Sequence, residues 1–302
     1  MKNPDNNTLV CVIIVSYNFE PWIHKCIPSV QSSTLSATVL VIDNNSADST
    51  CETIKSEYPD VVLIENKQNL GFGKANNIGI KYAIEKGFEY VFLLNQDAWI
   101  EKDTLERLVI AAKSNRCYAI ISPVHLNGRG SSADYGFSDY TGIKNREEAL
   151  HLPSEIVEYS FINAAMWLIP VSILKDAGGF APIFTHYGED RNFVLRVQKL
   201  GYKIGIVRSA FGYHDREART LSRTQYFYSE YVYFLTEAVN PTYSYFKAFA
   251  YSLLAALKKA VLALFSGKYA DFKEYISIIF RLIGKSSAIC RTRNNKGTEI
   301  MK

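Results

Sequence analysis

The first hundred residues alternate between two hydrophobic periods, and that alternation leaves few folds open. Short, β-rich apolar runs occur at 9–15, 38–42, 61–65 and 90–94. Between them, residues 21–30, 49–58 and 73–85 recur at helical spacing. Runs that are apolar at nearly every position suit strands buried on both faces. Strands alternating with helices at this spacing predict βαβ crossovers and an α/β fold, with a mostly parallel central sheet flanked by helices.

In an open parallel sheet, ligands bind beyond the carboxyl ends of the strands. The first run is followed by Ser16-Tyr17-Asn18 and the second by Asp43-Asn44-Asn45-Ser46. Asn66 follows the third, with Asn69-Leu70-Gly71-Phe72-Gly73 a few residues on, and Asn95-Gln96-Asp97 follows the fourth. A single polar strand end would be a turn, and Asp43 alone would read as a turn or cap residue. Four in succession predict a polar crevice. The residue types suit a nucleoside diphosphate: Tyr17 offers a flat face for a base, and Asp43 can accept from a base N–H or ribose hydroxyls. Gly71 and Gly73 let backbone approach a ligand, and Asp97 is a hard oxygen ligand for Mg²⁺ or Mn²⁺. The glycine turn fits neither the P-loop nor the dinucleotide pattern.

The rest of the chain is less regular. Residues 125–157 read as a long excursion of the kind that carries binding loops. Residues 160–169 are apolar, 187–200 read as a helix stopped by Gly201, and 202–207 read as another strand. Residues 241–302 hold eleven Lys+Arg against three Asp+Glu, whereas the whole chain of 302 residues carries only +4. The sequence therefore divides into a body, 1–240, and an amphipathic basic tail, 241–302. In the tail, Lys247, Lys258 and Lys259 fall on one side of a helix over 244–265. Phe246, Phe249, Leu253, Leu257, Val261 and Leu264 fall on the other. A second apolar helix runs over 269–283. This stripe can pack on the body as a lid or dimer contact, or touch an anionic membrane surface over 244–296. Its broad apolar face makes nucleic acid a poor partner.

Hydrophobic residues at 48% and charged residues at 21% exclude a disordered chain. Five scattered cysteines support neither a disulfide framework nor a zinc site. The first residues lack a signal-peptide core, and no stretch of about 18 residues is free of charge. The expectation is a cytoplasmic protein, peripheral at the inner face of the cell membrane.

The strings VIIVSYN, VIDNNSADST, NLGFGKANNIG, LLNQDAW and GGFAPIFTHYGEDRNFVLRVQKLGYKI resemble family 2 glycosyltransferases of the GT-A fold. The likeness is to the bacterial surface-polysaccharide branch with its rhamnosyl- and galactofuranosyl-transferases. The resemblance implies that Tyr17, Asp43 and Asn45 hold the base and ribose of a sugar nucleotide, with Ser16 and Asn18 beside them in the nucleotide-sugar site. It places Gly71, Phe72 and Asn77 on the glycine turn and its helix. Asn95, Gln96 and Asp97 match the D-x-D element, with Asn in place of the first acid, and Asp97 binds metal and diphosphate. Asp190 matches the catalytic base beside Glu189, and His214 a metal-joining histidine. Apart from the resemblance, Trp167 reads as a packing residue that could instead line the acceptor groove. The motif Gly179-Phe180-Ala181-Pro182 lacks the acidic pair often found after Gly-Phe.

The implied activity is inverting, metal-dependent transfer of a sugar from a UDP- or dTDP-sugar to a saccharide acceptor, lipid-linked, in cell-surface polysaccharide synthesis. A cation would neutralise charge growing on the diphosphate, and a carboxylate would take the acceptor's proton. The rivals are a sugar-nucleotide-binding scaffold and a sugar-phosphate nucleotidyltransferase. The latter would open with a basic, glycine-rich phosphate loop, and Ser16-Tyr17-Asn18-Phe19-Glu20 stands there instead.

Overall fold

A computed structural model describes residues 9–216 and 222–301. The N-terminal leader reading falls mainly on residues 1–8, outside the described residues. Four strands, β1 (Val10–Ser16), β2 (Thr38–Asp43), β3 (Val62–Glu65) and β4 (Tyr90–Asn95), form the first half. Between them run α1 (Ile23–Gln31), α2 (Thr50–Glu57) and α3 (Phe72–Glu85). The pairings β1–β2, β2–β3 and β1–β4 are all parallel, as the alternation predicts. β1, β2 and β3 each feed a loop and then a helix, and β4 runs parallel with them, so all four polar ends emerge on one edge of the sheet.

The second half departs from a purely parallel pattern. It contains β5 (Ala98–Ile100), α4 (Thr104–Ser114), β6 (Tyr118–Asn127), α5 (Tyr135–Thr141), α6 (Arg146–Leu150) and β7 (Ile156–Glu158). Then come β8 (Met166–Pro170), α7 (Val171–Ala177), α8 (Glu189–Lys199) and β9 (Lys203–His214). Among the described residues the sheet has nine strands, ordered β3-β2-β1-β4-β8-β6-β9-β5, with β7 on β9. Strand β8 enters antiparallel between β4 and β6, and β5 and β7 pair antiparallel with β9. Only β6–β9 is parallel in this half. The excursion at 125–157 is therefore not structureless: it finishes β6 and builds α5, α6 and β7.

Alternate residues of β1 serve opposite faces of the sheet. Cys11 and Ile13 join one core, with Leu40, Ala75 and Leu93. Val10, Val12 and Ile14 join the other, with Ile23, Ile27, Phe92 and Leu105. Burial on both faces explains why the strand sequence shows no polar alternation. Gly79 in α3 lies so close to β1 that a Cβ would fall 2.7 Å from an Ile13 methyl.

Trp167 belongs to this core and not to an acceptor groove. It is fully buried on β8, with ring centroids 6.3 Å from Phe180 and 5.9 Å from Phe193. An apolar neighbour on each strand leaves its indole no route to solvent. Asn77 is likewise a clamp and not a crevice residue. Its side chain donates to the Phe180 carbonyl at 2.8 Å and accepts from the Phe180 N–H at 2.8 Å. It lines a separate 660 Å³ cleft between α3 and the turn Gly297–Met301.

A third cluster gathers α9 (Arg223–Ala238), α10 (Tyr245–Phe265) and α11 (Tyr269–Gly284), with α12 (Ser286–Asn294) beyond. Helix α9, which the sequence division assigns to the body, packs with the tail helices. It also reaches the body, because Phe184 and Ala181 sit in the same cluster.

Asn77→Ala strands both backbone groups of Phe180 and should cost about 2 kcal/mol, read as a lower denaturation midpoint. An unchanged midpoint would show that the clamp holds nothing.

Candidate functional site

The expected crevice exists. A cavity of about 920 Å³ opens over the strand ends, lined by Ser16, Tyr17, Gly71, Phe72, Asn95, Gln96, Asp97 and His214. All eight were expected from the sequence. Tyr135, Gly136, His186, Tyr187, Arg216 and Gln225 also line it.

Strand pairing brings Asp97 and His214 together. Strand β9 runs on past its pairing with β7, and Ala98 on β5 then lies opposite His214. The Asp215 N–H donates to the Asp97 carbonyl at 2.7 Å, locking the junction. His214 Nε2 stands 3.3 Å from Asp97 Oδ1 and 3.4 Å from the Asn95 side-chain amide. The imidazole is buried, and its Nδ1 has no hydrogen-bond partner. That nitrogen lies 3.7 Å from Asp134 Oδ2.

Asp134 is the N-cap of α5, accepting from the Phe137 N–H at 2.9 Å. Arg216 donates to both of its oxygens, at 2.8 and 2.7 Å. Burial alone would push the Asp134 carboxyl up, but the guanidinium outweighs it and holds the carboxyl below its usual range. On the other side, His125 stands 6.5 Å from His214, ring to ring. Burial, then the charge of His214, pushes His125 down to about 3, so it stays neutral.

Two hydrogen bonds fix Tyr17: its N–H donates to Gln96 Oε1 at 2.8 Å, and its carbonyl accepts from Gln96 Nε2 at 3.2 Å. The ring is left half exposed at the cavity wall. Gly71 is required in place. Its φ is +78°, and a Cβ there would sit 2.4 Å from the Thr185 carbonyl oxygen. Asn44 secures the turn, donating to the Gly71 carbonyl at 3.3 Å and accepting from Asn66 at 3.0 Å.

Several expected site residues do not line the cavity. Asp43 is buried behind Ser16, whose hydroxyl donates to it at 2.8 Å, and it also accepts from the Ser46 N–H at 2.9 Å. Asn18 and Asn45 both have left-handed backbones. Asn18 spans the loops after β1 and β2: its N–H donates to Ser46 Oγ and its side chain accepts from the Ala47 N–H, both at 2.9 Å.

Glu189 and Asp190 occupy the first turn of α8, directly after the lining pair His186–Tyr187. Burial pushes the Glu189 carboxyl up to about 7, with the charge of Asp190 adding to it. Its Oε2 is buried without a hydrogen-bond partner. Burial also raises Asp190, although the N–H groups of Arg191 and Ala164 favour its charged form. The neighbouring Ala165 carbonyl accepts from the Asn95 N–H at 2.9 Å. One short backbone path thus joins Asp190 to the strand end that carries Asn95 and Asp97.

Sequence reading assigned no role to His186, Arg216 or Tyr135. The excursion composition flagged the neighbourhood of Tyr135. Nothing local marks Arg216, because its meaning comes from Asp134, 82 positions away.

A sheet with this crevice and these strand-end residues is the GT-A architecture of sugar-nucleotide transferases. Consistent with that class, the crystal structure of GalNAc-T7 with UDP, GalNAc and Mn²⁺ superposes with a TM-score of 0.58 at 16% identity. The match covers 79% of this chain and 51% of that one. The model of glycosyl transferase family 2 matches residues 11–176, more than half of the chain, and the chain belongs to that family. It is similar to the low-salt glycan biosynthesis hexosyltransferase Agl10 of Haloferax volcanii, 25% identical over 68% of this chain and 66% of that protein. It is also similar to the dTDP-rhamnosyl transferase RfbF of Shigella flexneri, 32% identical over 34% of each chain. Glycosyltransferase SunS of Bacillus subtilis is 30% identical over 39% of this chain and 27% of its own. The matched parts are thus less than two thirds of these relatives' lengths.

Glu189 binds a proton more tightly folded than unfolded, so its stabilising contribution is complete below about pH 4.5 and is lost as pH rises through about 7. Glu189→Gln should flatten that decline, by at most about 3 kcal/mol. Denaturant titrations at either end of the window check this, and parallel curves for both proteins would refute it.

Proposed function

We propose that this chain is an inverting glycosyltransferase. It takes a sugar from a UDP- or dTDP-linked donor to a saccharide acceptor, lipid-linked, in surface-polysaccharide synthesis. The observation that carries the proposal is the convergence of Asp97, His214 and Asn95 in the crevice, with Asp190 joined to that strand end through the Ala164–Ala165 backbone.

The donor set fits a divalent cation shared with a diphosphate. Among the described residues no group of three or more His, Cys, Asp or Glu could hold an ion alone. One carboxylate, one imidazole and an amide therefore need the substrate's oxygens to complete a shell, as Mg²⁺ and Mn²⁺ sites on nucleotides do. Asp97 and His214 would hold the ion, and Asn95 would offer a neutral oxygen in place of an acid. Bound there, Mn²⁺ or Mg²⁺ supplies positive charge against the departing diphosphate.

The remaining roles belong to the protein. Tyr17, pinned by Gln96, presents its face to the base. Gly71 lets the turn approach the donor closely. Arg216 adds fixed positive charge to the cavity wall and, through Asp134, keeps His214 oriented. Asp190 accepts the proton of the acceptor hydroxyl as that oxygen bonds to the anomeric carbon and the sugar–phosphate bond breaks. A single displacement inverts the anomeric centre and leaves no sugar on the enzyme. Tyr187 and Tyr135, both exposed at the cavity, supply the aromatic faces on which an acceptor sugar stacks. Tyr187 holds φ at +64° beside the His186 ring, a strained backbone for an aromatic residue.

Asp190→Asn should lower transfer at least about 100-fold while nucleoside diphosphate still binds. Asp97→Ala should abolish the extra thermal stabilisation that Mn²⁺ gives with UDP or dTDP. Transfer by the unaltered protein should rise with pH as Asp190 loses its proton, with the limb above the ordinary carboxylate range because burial raises that group. Nucleoside diphosphate release across a donor panel measures the transfer rates, and thermal melting with UDP or dTDP, with and without Mn²⁺, measures binding. Full activity of Asp190→Asn would remove the base from the mechanism.

A further inference from the structure

Helix α10 is packed inside out. Its buried residues are Ala248, Ser252, Ala256, Ala260 and Ala263, all small. Tyr245, Phe249 and Leu253 are partly buried against the same cluster, but the other large apolar residues face outward: Phe246 is 82% exposed, Leu254 60% and Phe265 85%, with Leu257, Val261 and Leu262 also exposed. The sequence reading left the large apolar stripe either packed on the body or touching a membrane surface. The small side wins because it lets α10 press closely on α9 and α11, where Ser252 Oγ donates to the Phe234 carbonyl at 2.7 Å. Lys259 is drawn inward to Glu230, which also accepts from the Tyr275 hydroxyl at 2.9 Å.

Among the described residues nothing covers the outward face. It continues past the turn into Tyr269, also exposed. Small residues at helix contacts and large apolar residues outside are the arrangement that lipid favours. The helix is 21 residues long with mean hydropathy 1.6, long and apolar enough to cross a membrane. Its geometry argues for lying flat instead. One side is occupied by α9 and α11, and Lys258 sits on the outward face well inside the helix. In a spanning helix that ammonium would be near the hydrocarbon centre. In a helix lying along the interface it extends to the headgroups.

We infer that the outward face of α10, continued through Tyr269, docks on an anionic lipid bilayer with its axis in the membrane plane. Charge selects this occupant over a second copy of the chain. Lys247 and Lys258 lie on the exposed side, in a tail with eight more basic than acidic residues. Pairing two such faces would bring like charges together, whereas anionic headgroups neutralise them. Helix α9 links this face to the crevice, since Gln225 lines the cavity and the Tyr228 hydroxyl donates to the His186 carbonyl at 2.9 Å.

The inference does not depend on the transfer reaction, because vesicle flotation needs neither donor nor acceptor. The full chain should float with phosphatidylcholine vesicles containing about one-third phosphatidylglycerol, and severalfold less with phosphatidylcholine alone. The double variant Leu254→Glu/Phe265→Glu should lose at least about tenfold in binding, with its melting temperature and its UDP- or dTDP-induced stabilisation unchanged. Lys258→Glu, which keeps every apolar residue, should lose binding only on the anionic vesicles. If the double variant misfolds, Leu254→Ser/Phe265→Ser serves the same comparison. No flotation of the full chain, equal flotation of the charged variants, or a stable dimer that the double variant turns into monomer would overturn the inference.

Discussion

The antiparallel pairing of β5 with the end of β9 is the contact on which the site depends. It sets Ala98 opposite His214, so a residue just after β4 meets one more than a hundred positions later. Without it, Asp97 would be one polar strand end among four. With it, a carboxylate, an imidazole and an amide meet within 3.4 Å. The backbone hydrogen bond from Asp215 to Asp97 closes the same junction, so the geometry is held by main chain as well as by side chains.

Around that junction the protein keeps charge where it is useful and suppresses it elsewhere. Arg216 holds Asp134 ionised behind His214, and His125 stays neutral below it. The Asp134 carboxylate stands 3.7 Å from His214 Nδ1, while Nε2 faces Asp97 at 3.3 Å. The two acids of α8 sit differently. Both are raised by burial, and Glu189 is raised further by its neighbour's charge. Two adjacent carboxyls in a poorly solvated turn resist ionising together. Burial therefore disfavours a second charge on this turn once the first has formed.

In the tail, packing chose between two apolar sides of one helix. Both sides of α10 are apolar, so periodicity alone does not say which faces inward. Close approach of three helices selected the alanine side, and the larger residues were left outside. The same close packing ties α9 to the tail while its first turns border the crevice.

Much was legible in the chain itself. Strands β1 to β4 and their polar ends follow from period and composition, because a strand buried on both faces must be apolar throughout and must end where it becomes polar. Seven of the eight expected lining residues end or follow β1, β3 and β4 for that reason; His214, at the end of β9, does not. Tertiary structure decided the rest. Trp167, on β8, became core because Phe180 and Phe193 pack on it, Asn77 became a clamp on the Phe180 backbone, and Asp43 was drawn behind Ser16 by hydroxyl and amide donors. The continuation of β9 to His214, the partnership of Asp134 with Arg216 and the outward face of α10 depend on contacts between segments far apart. Local pattern carries the preference of each segment, but the partner that satisfies a buried charge or covers an apolar face exists only once the chain has folded.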